Sequence, residues 1–428
     1  MANSPTPPRG WRRRPAAGRT VAATAVLSIA ASAAAQDVGP NLDVYGYGTS
    51  AYGDTDGNNY QFGDDDGSYD NTQLAIGFAA QWERMRVATQ VEWETSGRFD
   101  GTRSEVDFAF AEWRFDDRLR LRLGQAKHPF GLYAELLDAG TVRPFLTLPV
   151  GVYGPTGAVA EHYTGVGVTG FYAAGDWELS YDLYVGEVVL DAAHPWEALE
   201  KIGFREDEQL RVSDLVGGRL VVASPLPGLS FGFSVHRGTA EPEREEGEED
   251  EGGEEGEEGE APAEQRLHVE LGGEGEEGEE GVGDISATHA TYGVQAEYLG
   301  PELLIRTEAV RHEFEGRHDI DAYYLELAYR LTANWQVAGR YDWADVELAK
   351  ARAAREVGQR APTLLEHEDI GIGLNYWFSD DLVVKLSYHA VEGNFFARPI
   401  RGGVREAVTA GTLDKDTDLI QLGVNFSF

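Results

Sequence analysis

An all-β fold is predicted: a transmembrane antiparallel β-barrel of about 16 strands, with short turns at one end and long loops at the other. Three observations predict it. From Asn41 to Phe428 apolar residues recur at every second position rather than every third or fourth, the rhythm of a strand with one greasy and one wet face. The alternating segments run to roughly 9–13 residues, the length at which a tilted strand crosses a bilayer. The connections between them alternate between short and long along the whole chain, as when tight turns face the periplasm and loops face outward.

The chain opens with an address. Arg12, Arg13, Arg14 and Arg19 make a basic region, Val21 to Ala31 an apolar run, and Ala33-Ala34-Ala35 a small-residue cleavage site before Gln36. Residues 1–35 are read as a secretory signal peptide, whose apolar core is too short for a membrane anchor. Beyond it no run of 18 apolar residues occurs, so no membrane-spanning helix is written here.

Residues 36–428 are read as the barrel. Its first strands are placed at 41–52, 72–82, 85–96, 104–115 and 119–126. The segment 104–115 leaves open which of its faces meets the lumen. Next come 163–173 and 177–186, where Trp177, Leu179, Tyr181, Leu183 and Val185 oppose Glu178, Ser180, Asp182 and Tyr184. Strands at 213–224, 229–238, 287–299, 302–314 and 320–331 follow, then 335–346, 366–378, 382–392 and 416–428. Aromatic residues gather near segment ends, as Trp335 with Trp343 and Tyr376 with Phe378, because such rings favour the two bilayer interfaces. Gly, Pro, Asn, Asp and Ser dominate short turns such as Ala174-Gly175-Asp176 and Ser379-Asp380-Asp381. The long connections cover about 53–71, 127–162, 187–212, 239–286, 347–363 and 393–415.

The formal net charge is −38, which speaks against a nucleic-acid partner, since phosphate contacts need Lys and Arg. Loss of the leader removes five arginines and leaves about −43. Much of the acidity lies in the Glu/Gly-rich stretch 241–281, which cannot bury a core and falls in the extracellular loop 239–286. It has no Asp-x-Asp-x-Asp-Gly spacing of a defined calcium site. Cysteine is absent, and a closed sheet in lipid needs no disulfide. No metal, cofactor or enzymatic activity is expected. Pairs such as His289/Thr291 or Ser387/His389 occur two apart in any strand.

One stretch carries a resemblance. Leu121-Arg122-Leu123-Gly124-Gln125-Ala126-Lys127-His128-Pro129-Phe130-Gly131-Leu132-Tyr133, continued by Arg143-Pro144-Phe145 and Leu148-Pro149-Val150-Gly151-Val152-Tyr153, resembles the phosphate-selective porin O and P family. The resemblance implies a sixteen-stranded porin, a loop (here 127–162) that folds inward to narrow the channel, a homotrimer, and anions such as phosphate among the solutes. The C-terminus adds to it. Ile420, Leu422, Val424, Phe426 and Phe428 alternate with Gln421, Gly423, Asn425 and Ser427, similar to the terminal strand that the outer-membrane assembly machinery recognises through its last aromatic residue, here Phe428.

The expectation is therefore a porin of the Gram-negative cell outer membrane, in contact with its lipids, passing small hydrophilic solutes or ions by diffusion. The alternative is a structural or adhesive barrel whose acidic loop binds cations. Candidate pore-lining residues are Arg120, Arg122, Lys127, His128 and Arg143 as a basic ladder, with Glu135 and Asp138 opposing it in the same loop and Arg340 and Lys385 on later strands. Rings of Arg or Lys favour anions and rings of Asp or Glu favour cations. The acidic loops would repel anions at the mouth, so weak selectivity is expected.

Overall fold

A computed structural model describes residues 42–96, 102–133, 136, 139–154, 158–190, 210–242, 287–349, 362–400, 407 and 410–428. The proposed leader, residues 1–35, and most of the acidic loop lie outside these. The strands are β1 (Leu42–Asp56), β2 (Asn59–Tyr60), β3 (Ser68–Trp82), β4 (Met85–Ser96), β5 (Thr102–Asp116), β6 (Leu119–Lys127), β7 (His162–Ala174), β8 (Trp177–Leu190) and β9 (Leu210–Ala223). They continue with β10 (Leu229–Pro242), β11 (Ala287–Leu299), β12 (Leu303–Phe314), β13 (His318–Arg330), β14 (Trp335–Leu348), β15 (Glu366–Ser379), β16 (Leu382–Glu392), β17 (Ala397–Arg398) and β18 (Asp416–Ser427). All but β2 and β17 form one closed antiparallel barrel in chain order, sealed between β1 and β18. At the seam Phe428 and Gly46 exchange two backbone hydrogen bonds of 2.9 and 3.0 Å. The last residue thus closes the ladder and leaves no free edge.

The two faces differ as the alternation requires. Outside, Leu183, Val216, Ile372 and Phe378 are more than half exposed, which in a bilayer is contact with lipid. Cross-strand ring pairs mark the band's two edges. Trp335 and Tyr376 lie 4.8 Å apart at the turn end, Tyr323 and Trp343 5.1 Å apart toward the loop end. Inside, Glu326, Asp342 and Asn375 are fully buried. A charge facing lipid at midplane costs about 2–4 kcal/mol for Arg or Lys, so the wet face turns inward.

All sixteen predicted strands are present, and several reach further toward the loop end than expected. β1 runs to Asp56, β8 to Leu190 and β10 to Pro242. Beyond the bilayer the backbone goes on pairing while the outward positions cease to be greasy, as at Asp54 and Asp56, so the alternation fades before the ladder does. The face of 104–115 is settled by a β-bulge. Gln90 pairs with Phe108 but Val91 with Val106, leaving Asp107 as the extra residue. Parity flips there: Asp107 is buried at the bulge itself and Glu112 is buried beyond it, while Val106, Trp113 and Phe115 point out. The short strands β2 and β17 pair with each other across two loops, a contact no local pattern announces.

Candidate functional site

The segment after β6 leaves the wall and lies within the barrel. Two motif glycines hold positive φ, one within β6 and one in the loop that follows it. Gly124 has φ +121°, and a Cβ there would meet the Ala109 carbonyl at 2.5 Å; Gly131 has φ +69°, and a Cβ would strike the Tyr153 hydroxyl and the Glu308 carboxylate. Both positions exclude other residues on conformation and space together. Between them Phe130 is fully buried beside Gly293 of β11.

From there the loop is fixed to the wall by polar groups. Tyr153 donates to both oxygens of Glu308 at 2.6 and 2.8 Å, while the amides of Leu132 and Tyr133 donate to its hydroxyl at 3.0 and 3.1 Å. Tyr133 donates to Glu326 and accepts from Arg306 at 3.1 Å. Burial raises both phenols above their ordinary pKa, which keeps them protonated as donors. Further along, the Gly151 amide reaches Asp342 at 3.1 Å, at the start of the single helical turn α1 (Val150–Tyr153). Arg340 donates to the Thr147 carbonyl at 2.6 Å and Asn375 to that of Pro144 at 2.9 Å. The Lys385 ammonium takes three loop carbonyls, Gly140, Arg143 and Phe145, at 2.6, 2.7 and 3.3 Å.

The sequence-predicted residues do not assemble into one basic ladder. Arg120 sits near the turn end, 3.9 Å from Asp117. Arg122 pairs with Glu112 at 3.0 Å and stacks over Phe110, ring centre 4.5 Å away. Lys127 is paired with the bulge residue Asp107 at 2.5 Å. His128 is buried, its Nε2 2.7 Å from the Tyr184 hydroxyl, and burial lowers its pKa to about 3. Arg143 belongs to the far reach of the loop, against Lys385. Arg340 forms a buried ion pair with Glu326 at 2.5 Å. Glu135 and Asp138 lie outside the described residues. The sequence reading passed over Tyr133, Tyr153 and Asp107. The tyrosines read as motif filler, and Asp107 stood on the one strand whose face was undecided.

The comparisons bear on the fold. No family model matches the chain, and no curated protein sequence is significantly similar to it. Solved structures do superpose. The outer-membrane channel DcaP of Acinetobacter baumannii matches with a TM-score of 0.52 at 10% identity, over 91% of this chain and 98% of that one. An anion-selective porin from Comamonas acidovorans matches with 0.51 at 11%, over 90% and 99%. Salmonella typhi OmpF, in complex with daunomycin, matches with 0.50 at 13%, over 91% and 98%.

The fold is that of a porin-type outer-membrane barrel. At such low identity the likeness carries the architecture and no particular residue. What distinguishes this barrel has to be read from its own lumen.

Proposed function

We propose that the chain is a porin that lets small hydrophilic solutes or ions diffuse across the outer membrane with weak selectivity. The observation that carries this reading is the inward loop, held by wall residues from β10 to β18 inside a closed barrel. A loop fixed there narrows a lumen without the wall having to be filled, which is what a sieve needs. On this reading the passage runs between the loop and the arc from β3 to β8. On that arc Arg122 is paired with Glu112 and Lys127 with Asp107. Paired charges leave little net field for an anion, so this supports weak selectivity over the phosphate preference that the sequence motif implies. A homotrimer belongs to the same proposal, and chemical cross-linking in detergent tests it.

Reversal potential across a salt gradient in planar bilayers, with and without phosphate, is the direct test. Discrete conductance steps with a small reversal potential unaffected by phosphate are expected. A silent barrel would favour the structural or adhesive alternative.

A hydrolytic reading has one observation on its side. His389 lies 2.9 Å from Asp369 through Nδ1 and 3.2 Å from Ser387 through Nε2, the order of a Ser-His-Asp relay. Ser387 is 3% exposed and its hydroxyl also reaches Gln421 at 3.2 Å. We take the group as a buried polar network without catalysis. Labelling of Ser387 by a fluorophosphonate would reverse that.

A further inference from the structure

The loop contacts leave one set of lumen groups unused. Five of the ten histidines stand in a single row near the loop end of the barrel: His128 at the root of the inward loop, His236 on β10, His289 on β11, His312 on β12 and His318 on β13. Successive ring centres are 4.9, 5.2, 4.5 and 5.6 Å apart. All five are buried, none more than 4% exposed. Elsewhere on the wall buried residues such as Arg340, Asn375 and Lys385 meet a carboxylate or a loop carbonyl. Here neighbouring imidazoles mostly meet each other, and His236 has no hydrogen bond at either ring nitrogen. A buried polar group in that state is a cost unless a ligand supplies the missing partner.

The chemistry of that ligand follows from the donors. A neutral imidazole offers one lone pair to a cation, and imidazole suits Ni²⁺, Cu²⁺ and Zn²⁺, whereas carboxylates suit Ca²⁺ and Mg²⁺. Two imidazoles on one tetrahedral ion, with metal–nitrogen bonds of about 2.0–2.1 Å, place their ring centres roughly 5 Å apart. Neighbours in the row have that spacing. Two members are already oriented through their second nitrogen, as metal-binding histidines are: His312 Nδ1 lies 3.0 Å from the Thr291 hydroxyl, and His128 Nε2 lies 2.7 Å from that of Tyr184.

We propose that this row binds borderline transition-metal dications, each held between two adjacent histidines with water completing its shell. Among the described residues no three ligands already converge on one point, and His236 and His289 are stacked at 8°. Binding therefore involves rotation of a ring and is pairwise rather than a closed cage. The strong negative charge of the chain raises the local concentration of any dication. The inference rests on the closed barrel and stands apart from whether the lumen conducts.

Cu²⁺ titrated into the refolded full chain tests it. Nitrogen hyperfine structure is expected in the electron paramagnetic resonance spectrum, with affinity at least tenfold weaker in His236→Ala/His289→Ala and unchanged in His367→Ala. Excess Ca²⁺, which competes for carboxylates, leaves the signal in place. Oxygen-only coupling in the wild type, or equal affinity in the double variant, overturns the proposal. If the double variant does not refold to the heat-modifiable form, His236→Gln serves, with loss of coupled nitrogen as the readout. Nitrogen-bound Cu²⁺ in a barrel that is silent in bilayers would support this inference while sinking the porin reading.

Discussion

Along β12 to β18 the charged lumen residues mostly bond to the inward loop, whereas along β3 to β9 they mostly bond to one another. Arg340 and Glu326 show 1% and 0% side-chain exposure beneath the loop. Arg122 and Arg219, on the other arc, show 16% and 13%. Both arcs carry Arg–carboxylate pairs between neighbouring strands, so the pairing alone does not tell them apart. Arg340, Asn375 and Lys385 each reach a loop carbonyl at 2.6 to 2.9 Å and Arg219 reaches that of Gly131 at 3.4 Å, so what separates the arcs is how deeply the loop covers their pairs. A charge that anchors a buried loop acts on stability, and a charge left beside the passage acts on permeation.

Breaking the anchoring arc should give the largest effect. Arg340→Ala leaves Glu326 buried without its ion pair and should cost about 3–5 kcal/mol in urea unfolding of the refolded barrel. Glu326→Gln in the same chain should restore part of it. Lys385→Met releases three loop carbonyls at once. We expect a loss of roughly 2–3 kcal/mol and noisier, larger conductance steps as the loop loosens. If conductance is unchanged, the loop does not narrow the passage.

The root of the loop should respond to acid. His128 titrates near 6.5 when unfolded and near 3 when folded, so between these values the unfolded chain binds more protons. Stability therefore rises with pH through this window, and is lost as pH falls from about 6.5 to about 3. His128→Gln should flatten that slope in pH-dependent unfolding.

On the passage side the outcome is a change in selectivity with little change in stability. Arg122→Ala uncovers Glu112 and should move the reversal potential toward cations, by an amount that shrinks at high salt. The smallest effect belongs to the exposed rim pair Lys415–Glu392, 3.0 Å apart. Lys415→Ala should leave both unfolding and conductance within error. A measurable loss there would blur the distinction between anchoring and exposed charge.

Much of the barrel was legible because membrane strands obey a local rule. Trp177, Leu179 and Tyr181 against Glu178, Ser180 and Asp182 declare two faces without reference to any other strand. The last strand was legible for the same reason, since the alternation of Ile420, Leu422 and Val424 with Gln421 and Gly423 is a local property. The bulge at Asp107 was not, because parity changes where the partner strand skips a residue and the sequence keeps no record of partners. The roles of Arg340 and Lys385 were not legible either. Both stood correctly on the polar face, but whether a polar face meets water or a loop depends on where a segment some 200 residues away comes to rest.

By itself, then, the sequence determined the strands, their approximate count, the alternation of turns and loops, and the wet face of all but the strand at 104–115. These follow from the two-residue period and from turn chemistry, which act over a few neighbours. Only the tertiary structure decided which arc anchors the loop, how each cation is neutralised, and that five histidines scattered from His128 to His318 share one row. Those are matters of register between strands, and register is fixed by closure of the whole sheet.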